Sequence, residues 1–172
     1  MNSLLQEMGI AAKAAANSLR KASTKQKNEG LLAMEAALYT HQDAILTANA
    51  KDIAAAAANG LPTPMIERLT LNPQRIKGMA DSFKEIAQLP DPVGYVEEMT
   101  KSADGLTIGK QRVPLGVIGI IYESRPNVTA DASALCFKSG NAVILRGGKE
   151  ALESNKAIMT ALQSGLADAG FA

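Results

Sequence analysis

One turn holds the residues whose types and spacing best suit chemistry: Arg146-Gly147-Gly148-Lys149-Glu150. Two backbone-permissive glycines flanked by cations, after an apolar strand pattern and before a helical one, suit a phosphate or a ribose. The same cations would also serve as plain surface charges at a strand end. Cys136, the only cysteine, falls on the apolar stripe of a helical pattern between Leu135 and Phe137. That setting marks a packing residue rather than an activated thiolate. His41, the only histidine, stands near the end of a helical pattern and reads as a solvated or dipole-facing residue rather than a base. Ligands are too sparse for a metal site. Gly116 and Gly119 have G-x-x-G spacing, not the G-x-G-x-x-G of a dinucleotide fingerprint, and read as structural. Arg20, Lys21, Lys25 and Lys27 read as a solvated helix junction.

The elements that must position the turn lie in residues 113–150, which form one strand-helix-strand unit. Val117, Ile118, Ile120 and Ile121 make an apolar run without period-2 alternation, as expected of a strand buried on both faces of a parallel sheet. Pro114 and Pro126 bound it. Residues 128–139 then place Val128, Ala132, Leu135 and Cys136 at helical spacing, and Gly140-Asn141 supplies a stop. Residues 142–145 form a second buried strand that ends at the turn.

Upstream the pattern is helical. A helix over 3–22 carries Leu4, Met8, Ala11, Ala15 and Leu19 on one stripe. Ser23-Thr24 can cap a second helix to about residue 41, with Leu31, Met34 and Leu38 inward and Gly30 weakening it by roughly 1 kcal/mol. A third, over 43–58, sets Leu46, Ala50, Ile53 and Ala57 on a stripe and stops at Asn59-Gly60. After Pro62 and Pro64 a helical turn spans 65–69. Asn72-Pro73 then opens a strongly periodic helix through Ile76, Met79, Phe83 and Ile86, closed by Pro90 and Pro92. Residues 96–113 read as a hairpin turning at Asp104-Gly105. The last helix, after Glu150, places Ile158, Ala161, Leu162, Gly165 and Leu166 on one face and ends at Gly170.

The stretch PLGVIGIIYESRPNVTADASALCFKSGNAVILRGGKEALESN resembles the amino-terminal half of the glutamate-5-semialdehyde dehydrogenases, or γ-glutamyl phosphate reductases, of the aldehyde dehydrogenase superfamily. PLGVIG and GNAVILR resemble general aldehyde dehydrogenase patterns, whereas YESRPNVT and RGGKE resemble the glutamyl phosphate reductases in particular. The resemblance spans essentially the whole chain but well under half of a full-length member. It implies an α/β fold: amino-terminal helices, part of a parallel Rossmann-type nucleotide-binding sheet, and a hairpin at 96–113 belonging to an oligomerisation arm. It implies that residues 1–172 are the amino-terminal part of the cofactor-binding domain, without the catalytic domain. The implied activity is NADPH-dependent reduction of L-glutamate 5-phosphate to the semialdehyde and phosphate, in proline biosynthesis. A cysteine thiolate attacks the acyl phosphate and gives a thioester that is then reduced. That nucleophile lies further along the chain in the family and is not Cys136.

The resemblance also assigns residues. Arg146 stands where the superfamily has a basic residue on the adenosine ribose, and Arg146 with Lys149 would serve the 2′-phosphate of NADP. Gly147 and Gly148 would let the backbone approach the nucleotide. Arg125 aligns with the asparagine of the superfamily's Asn-x-Pro turn, and Asn127 is the nearest amide. Asn127 then suits an oxyanion and Arg125 the phosphate or carboxylate of the substrate. Alternatively, Asn127 only caps the helix from Val128.

Composition bounds the rest. The 172 residues are 47% hydrophobic and 20% charged, typical of a soluble globular chain. Eighteen basic against seventeen acidic residues leave no field to attract nucleic acid or an anionic membrane. There is no leader at Met1 and no apolar run near the roughly 20 residues a membrane span needs, so a cytoplasmic location is expected. One cysteine allows no internal disulfide. A small-molecule substrate and a homo-oligomer are the expected partners. Because a parallel strand pair cannot cover its own faces or edges, the chain reads as an amino-terminal fragment, inactive alone. Two other readings remain open: a non-catalytic nucleotide-binding or assembly module, and another acyl-phosphate or acyl-CoA reductase of the superfamily.

Overall fold

The computed structural model describes residues 3–171; the expectation made for Met1 lies outside them. Seven α-helices and four strands follow one another as α1 (Ser3–Leu19), α2 (Thr24–Thr40), α3 (Gln42–Ala58), α4 (Thr63–Leu69), α5 (Pro73–Gln88), β1 (Val96–Lys101), β2 (Thr107–Gln111), β3 (Val117–Ile121), α6 (Pro126–Lys138), β4 (Ala142–Arg146) and α7 (Leu152–Asp168). A 3-10 turn at Lys149–Ala151 joins β4 to α7. α2 packs against α5 and α7, α5 against α6, and α3 against α7. The core between them is Leu31, Met34 and Leu38 of α2, Ile76, Met79 and Phe83 of α5, Ala130, Ala134 and Phe137 of α6, and Ile158, Ala161 and Leu162 of α7. These are the apolar stripes expected of α2, α5 and α7. Gly165 lets α7 close onto α2, since a Cβ there would meet Ala33 O at 2.6 Å and Met34 Cα at 2.7 Å. Gly30 has the same use: its missing Cβ is where the Phe137 ring lies.

The caps follow the sequence. Ser23 and Gln26 close a capping box on α2, and Asn72 Oδ1 accepts from Arg75 N at 2.8 Å, with Pro73 in the first turn of α5. β1 and β2 form the antiparallel hairpin, turning at Gly105 with φ +82° and bulged at Glu98 with φ 46°. β3 and β4 pair in parallel, Val117 opposite Ala142 through Ile121 opposite Arg146. Gly116, with φ +112°, leads into β3, and its N–H donates to Asn141 Oδ1 at 2.8 Å.

Several expectations fail for identifiable reasons. α1 ends at Leu19 and its neighbours are β3 and β4, so its covered side is half-buried Gly9 and Ala12 with buried Ala16 and Leu19, while Leu4, Met8, Ala11 and Ala15 are exposed. In α3 the covered stripe is one residue earlier, Ile45, Asn49, Asp52 and Ala56, because hydrogen bonding rather than apolar burial sets its orientation. Asp52 accepts from Glu153 N at 3.2 Å, Ser154 N at 2.7 Å and Ser154 Oγ at 2.6 Å. It thereby caps α7, whose own preceding residue Ala151 has no side-chain cap. Asn49 ties α3 to the α4–α5 connection through Leu69 O and Leu71 N. In α6, Thr129, Ala130, Ser133, Ala134, Phe137 and Lys138 are buried and Leu135 is exposed; small residues allow the close contact with α5 and α7. β3 is not buried on both faces. It has a strand neighbour on one side only, and Ile121 is 77% exposed; β4, contacted by α1 and α6, is half-buried.

Lys27 departs most from the solvated junction expected of it. It is 1% exposed, and its Nζ lies 2.6 Å from Asp91 Oδ2. Thr24 Oγ1 and Val93 N also donate to Asp91, at 2.7 and 2.9 Å. A buried cation requires such a partner, and this one fastens α2 to the proline-bounded segment after α5.

Candidate functional site

The carboxyl ends of β3 and β4 open side by side, as they must in a parallel pair, so the loops after them share one rim of the sheet. Tyr122 N donates to Arg146 O at 3.1 Å, which extends the pairing one residue past β3. The Tyr122 hydroxyl and Thr129 Oγ1 are 2.7 Å apart, and Thr129 Oγ1 donates to Asn155 Oδ1 at 2.8 Å. Ser124 Oγ donates to Glu150. These bonds lock the loop after β3 to the loop after β4 and to the starts of α6 and α7.

Gly147 and Gly148 are explained by that locking. A Cβ on Gly147 would meet Asn155 Nδ2 at 2.4 Å and the Tyr122 ring at 3.0 Å; one on Gly148 would meet Ser124 Oγ at 2.1 Å. The glycines admit the chain's own side chains first. Glu150 is held below its ordinary carboxylate value, chiefly by the Ser124 hydroxyl and then by its own backbone N–H, against burial. Arg146 and Lys149 stay exposed on the loop, with no ion-pair partner among the described residues.

Arg125 and Asn127 lie elsewhere. Arg125, not Asn127, is the residue that precedes α6, and its side chain makes no cap; Pro126 occupies the first turn. The capping role considered for Asn127 is therefore wrong, because Pro126 fixes the helix start one residue too early for it. Asn127 Nδ2 instead donates to Asp131 Oδ2 at 3.2 Å. Arg125, Asn127 and Asp131 line a cleft of about 560 Å³ with Arg68, Arg75, Met79 and Ser82. Arg146 and Lys149 are not in its lining. Two groupings thus stand apart: exposed cations at the end of β4 and just after it, and a basic cleft between α4, α5 and the start of α6.

Sequence reasoning placed Glu150 in the turn but missed its bond to Ser124, and it missed Tyr122, Thr129 and Asn155 in the frame of the rim and Arg68, Arg75 and Asp131 in the cleft. Only Asp131 carried a local signal, its four-residue spacing from Asn127. Cys136 is 6% exposed and unbonded to any other sulfur, and burial pushes its thiol up. His41 caps α2 and precedes α3, its Nδ1 lying 2.9 Å from Ala37 O.

No family model matches the chain. A γ-glutamyl phosphate reductase of Listeria innocua is 56% identical over 97% of this chain, which spans 40% of that relative's length. The crystal structure of γ-glutamyl phosphate reductase from Thermotoga maritima superposes with a TM-score of 0.93 at 41% identity, over 95% of this chain and 40% of that one. The chain is thus similar to γ-glutamyl phosphate reductases over nearly its whole length, and it spans about 40% of theirs. A propionaldehyde dehydrogenase of Clostridium phytofermentans shares the fold alone, with a TM-score of 0.62 at 14% identity over 93% of this chain and 33% of that one. The architecture is accordingly that of the aldehyde dehydrogenases, with helices before a parallel pair and a separate small hairpin. Among the described residues no helix is long and apolar enough to cross a membrane.

Proposed function

We propose that this chain forms the nucleotide-binding part of an NADPH-dependent reductase that converts L-glutamate 5-phosphate to L-glutamate 5-semialdehyde and phosphate in proline biosynthesis. The match to γ-glutamyl phosphate reductases over 97% of the chain carries this reading. The rim suits the cofactor: Arg146 and Lys149 are exposed cations with no ion-pair partner among the described residues, beside a loop fixed by Ser124 and Glu150, and a 2′-phosphate rewards two charge-assisted donors. The nucleotide supplies a hydride. Arg125 and Asn127 hold the substrate's anionic and developing oxyanion oxygens. Burial and a raised thiol support placing the nucleophilic cysteine outside this chain rather than at Cys136. The hairpin exposes Met99, Leu106 and Ile108, which supports a role as an oligomerisation arm, and the enzyme is placed in the cytoplasm with its soluble substrate.

The test is a reductase assay on a full-length enzyme carrying this portion. Glutamyl phosphate should drive NADPH oxidation with equimolar phosphate release. Turnover confined to acyl-CoA substrates, or none, would contradict the reading.

A further inference from the structure

The basic cleft contains one group that a purely anionic ligand does not explain. Arg68 comes from the last turn of α4, Arg75 from the first turn of α5, and Arg125 from the residue before α6. Arg75 is spent on the wall, donating to Glu67 O at 2.7 Å and to Thr70 O. Arg68 and Arg125 have no carboxylate partner among the described residues. Asp131 lines the same cleft, half-buried, with the Asn127 amide at 3.2 Å as its hydrogen-bond donor. Burial pushes its carboxyl up, and the Asn127 donor only partly offsets this. A half-buried carboxylate with one amide bond, in a cleft also lined by two arginines without a carboxylate partner, offers a ligand both signs of charge. A ligand carrying both signs of charge satisfies the carboxylate and the arginines together.

We propose that this cleft reads the α-amino-acid end of the substrate, with Asp131 receiving the ammonium and Arg68 and Arg125 the acidic groups around it. This rests on the substrate reading above and adds Arg68 and Asp131 as specificity-determining residues. Such a site rejects an analogue that keeps the carboxylates but lacks the amine, because Asp131 is then left buried beside a ligand of its own sign.

Equilibrium dialysis of the 172-residue chain tests it, using radiolabelled L-glutamate with glutarate as competitor and NADPH retention measured in the same cells. Glutarate should compete at least about tenfold more weakly than unlabelled L-glutamate. Asp131→Asn should weaken L-glutamate about tenfold and erase its advantage over glutarate, with NADPH retention unchanged and the circular dichroism spectrum intact. Arg68→Gln should weaken both ligands. No retention of L-glutamate, equal competition by glutarate, or an Asp131→Asn chain that still discriminates would overturn the proposal. Discrimination without NADPH retention would support the cleft and contradict the nucleotide reading, so the two can fail separately.

Discussion

Cys136 lies in α6 with its thiol raised by burial, so a small alkylating reagent should reach it only through opening of the helix packing. Iodoacetamide labelling at neutral pH is expected to follow unfolding and to become fast in denaturant; fast labelling of the native chain would mean an accessible thiol. In a full-length enzyme Cys136→Ser should cost stability, about 1 kcal/mol, and leave turnover intact. Asp91 makes a second prediction. Burial pushes its carboxyl up, but hydrogen bonds from Lys27, Thr24 and Val93 N–H, with the Lys27 charge, outweigh this and hold it below the ordinary value of 3.8. A depressed carboxyl stabilises the fold fully above its unfolded pKa and loses that contribution as the pH falls through the folded one. Lys27→Met should therefore destabilise by about 3 kcal/mol near neutral pH and flatten the acid limb of the unfolding midpoint. An unchanged limb would show that the pair is not what acid breaks.

The elements differ in how far their sequences betray them. α2 and α5 bury Leu31, Met34, Leu38, Ile76, Met79 and Phe83, all large, apolar and at helical spacing, so periodicity finds them. α3 hides its contact behind Asn49 and Asp52, because alanines offer no preferred face and buried hydrogen bonds decide the orientation. Leu135 misleads in the opposite way, being apolar and exposed among small residues that make the real contact. The candidate site divides along the same line. Arg146 to Glu150 is one contiguous turn and legible, whereas Arg75 joins Arg125 in the cleft through the packing of α5 on α6, and Arg68 joins them from α4. Asp52→Ala tests the α3 account: the Glu153 and Ser154 amides lose their acceptor, at a cost of about 2 kcal/mol, and exchange protection should fall first at the start of α7. Uniform loss along α7 would show that Asp52 does not act as its cap.

At the scale of the molecule, the helical core is closed while three apolar regions stay open: Leu4, Leu5 and Ile10 on α1, Met99, Leu106 and Ile108 on the hairpin, and Leu115 and Ile121 at β3. Surfaces of this kind beside an unpaired strand edge promote association. Light scattering after size exclusion should show the 172-residue chain self-associating with rising concentration; a monodisperse monomer across that range would contradict it. On the proposed reading, assembly through the hairpin and nucleotide binding at the rim use different parts of this chain, so they should separate by mutation.

The cofactor reading meets its most direct test in the affinities of a full-length enzyme carrying this portion for NADPH and NADH, before and after Arg146→Ala and Lys149→Ala. Each substitution should weaken NADPH about tenfold, the scale of one charge-assisted hydrogen bond, and leave NADH nearly unchanged. Equal losses for both nucleotides, or none for either, would contradict the assignment of these cations to the 2′-phosphate.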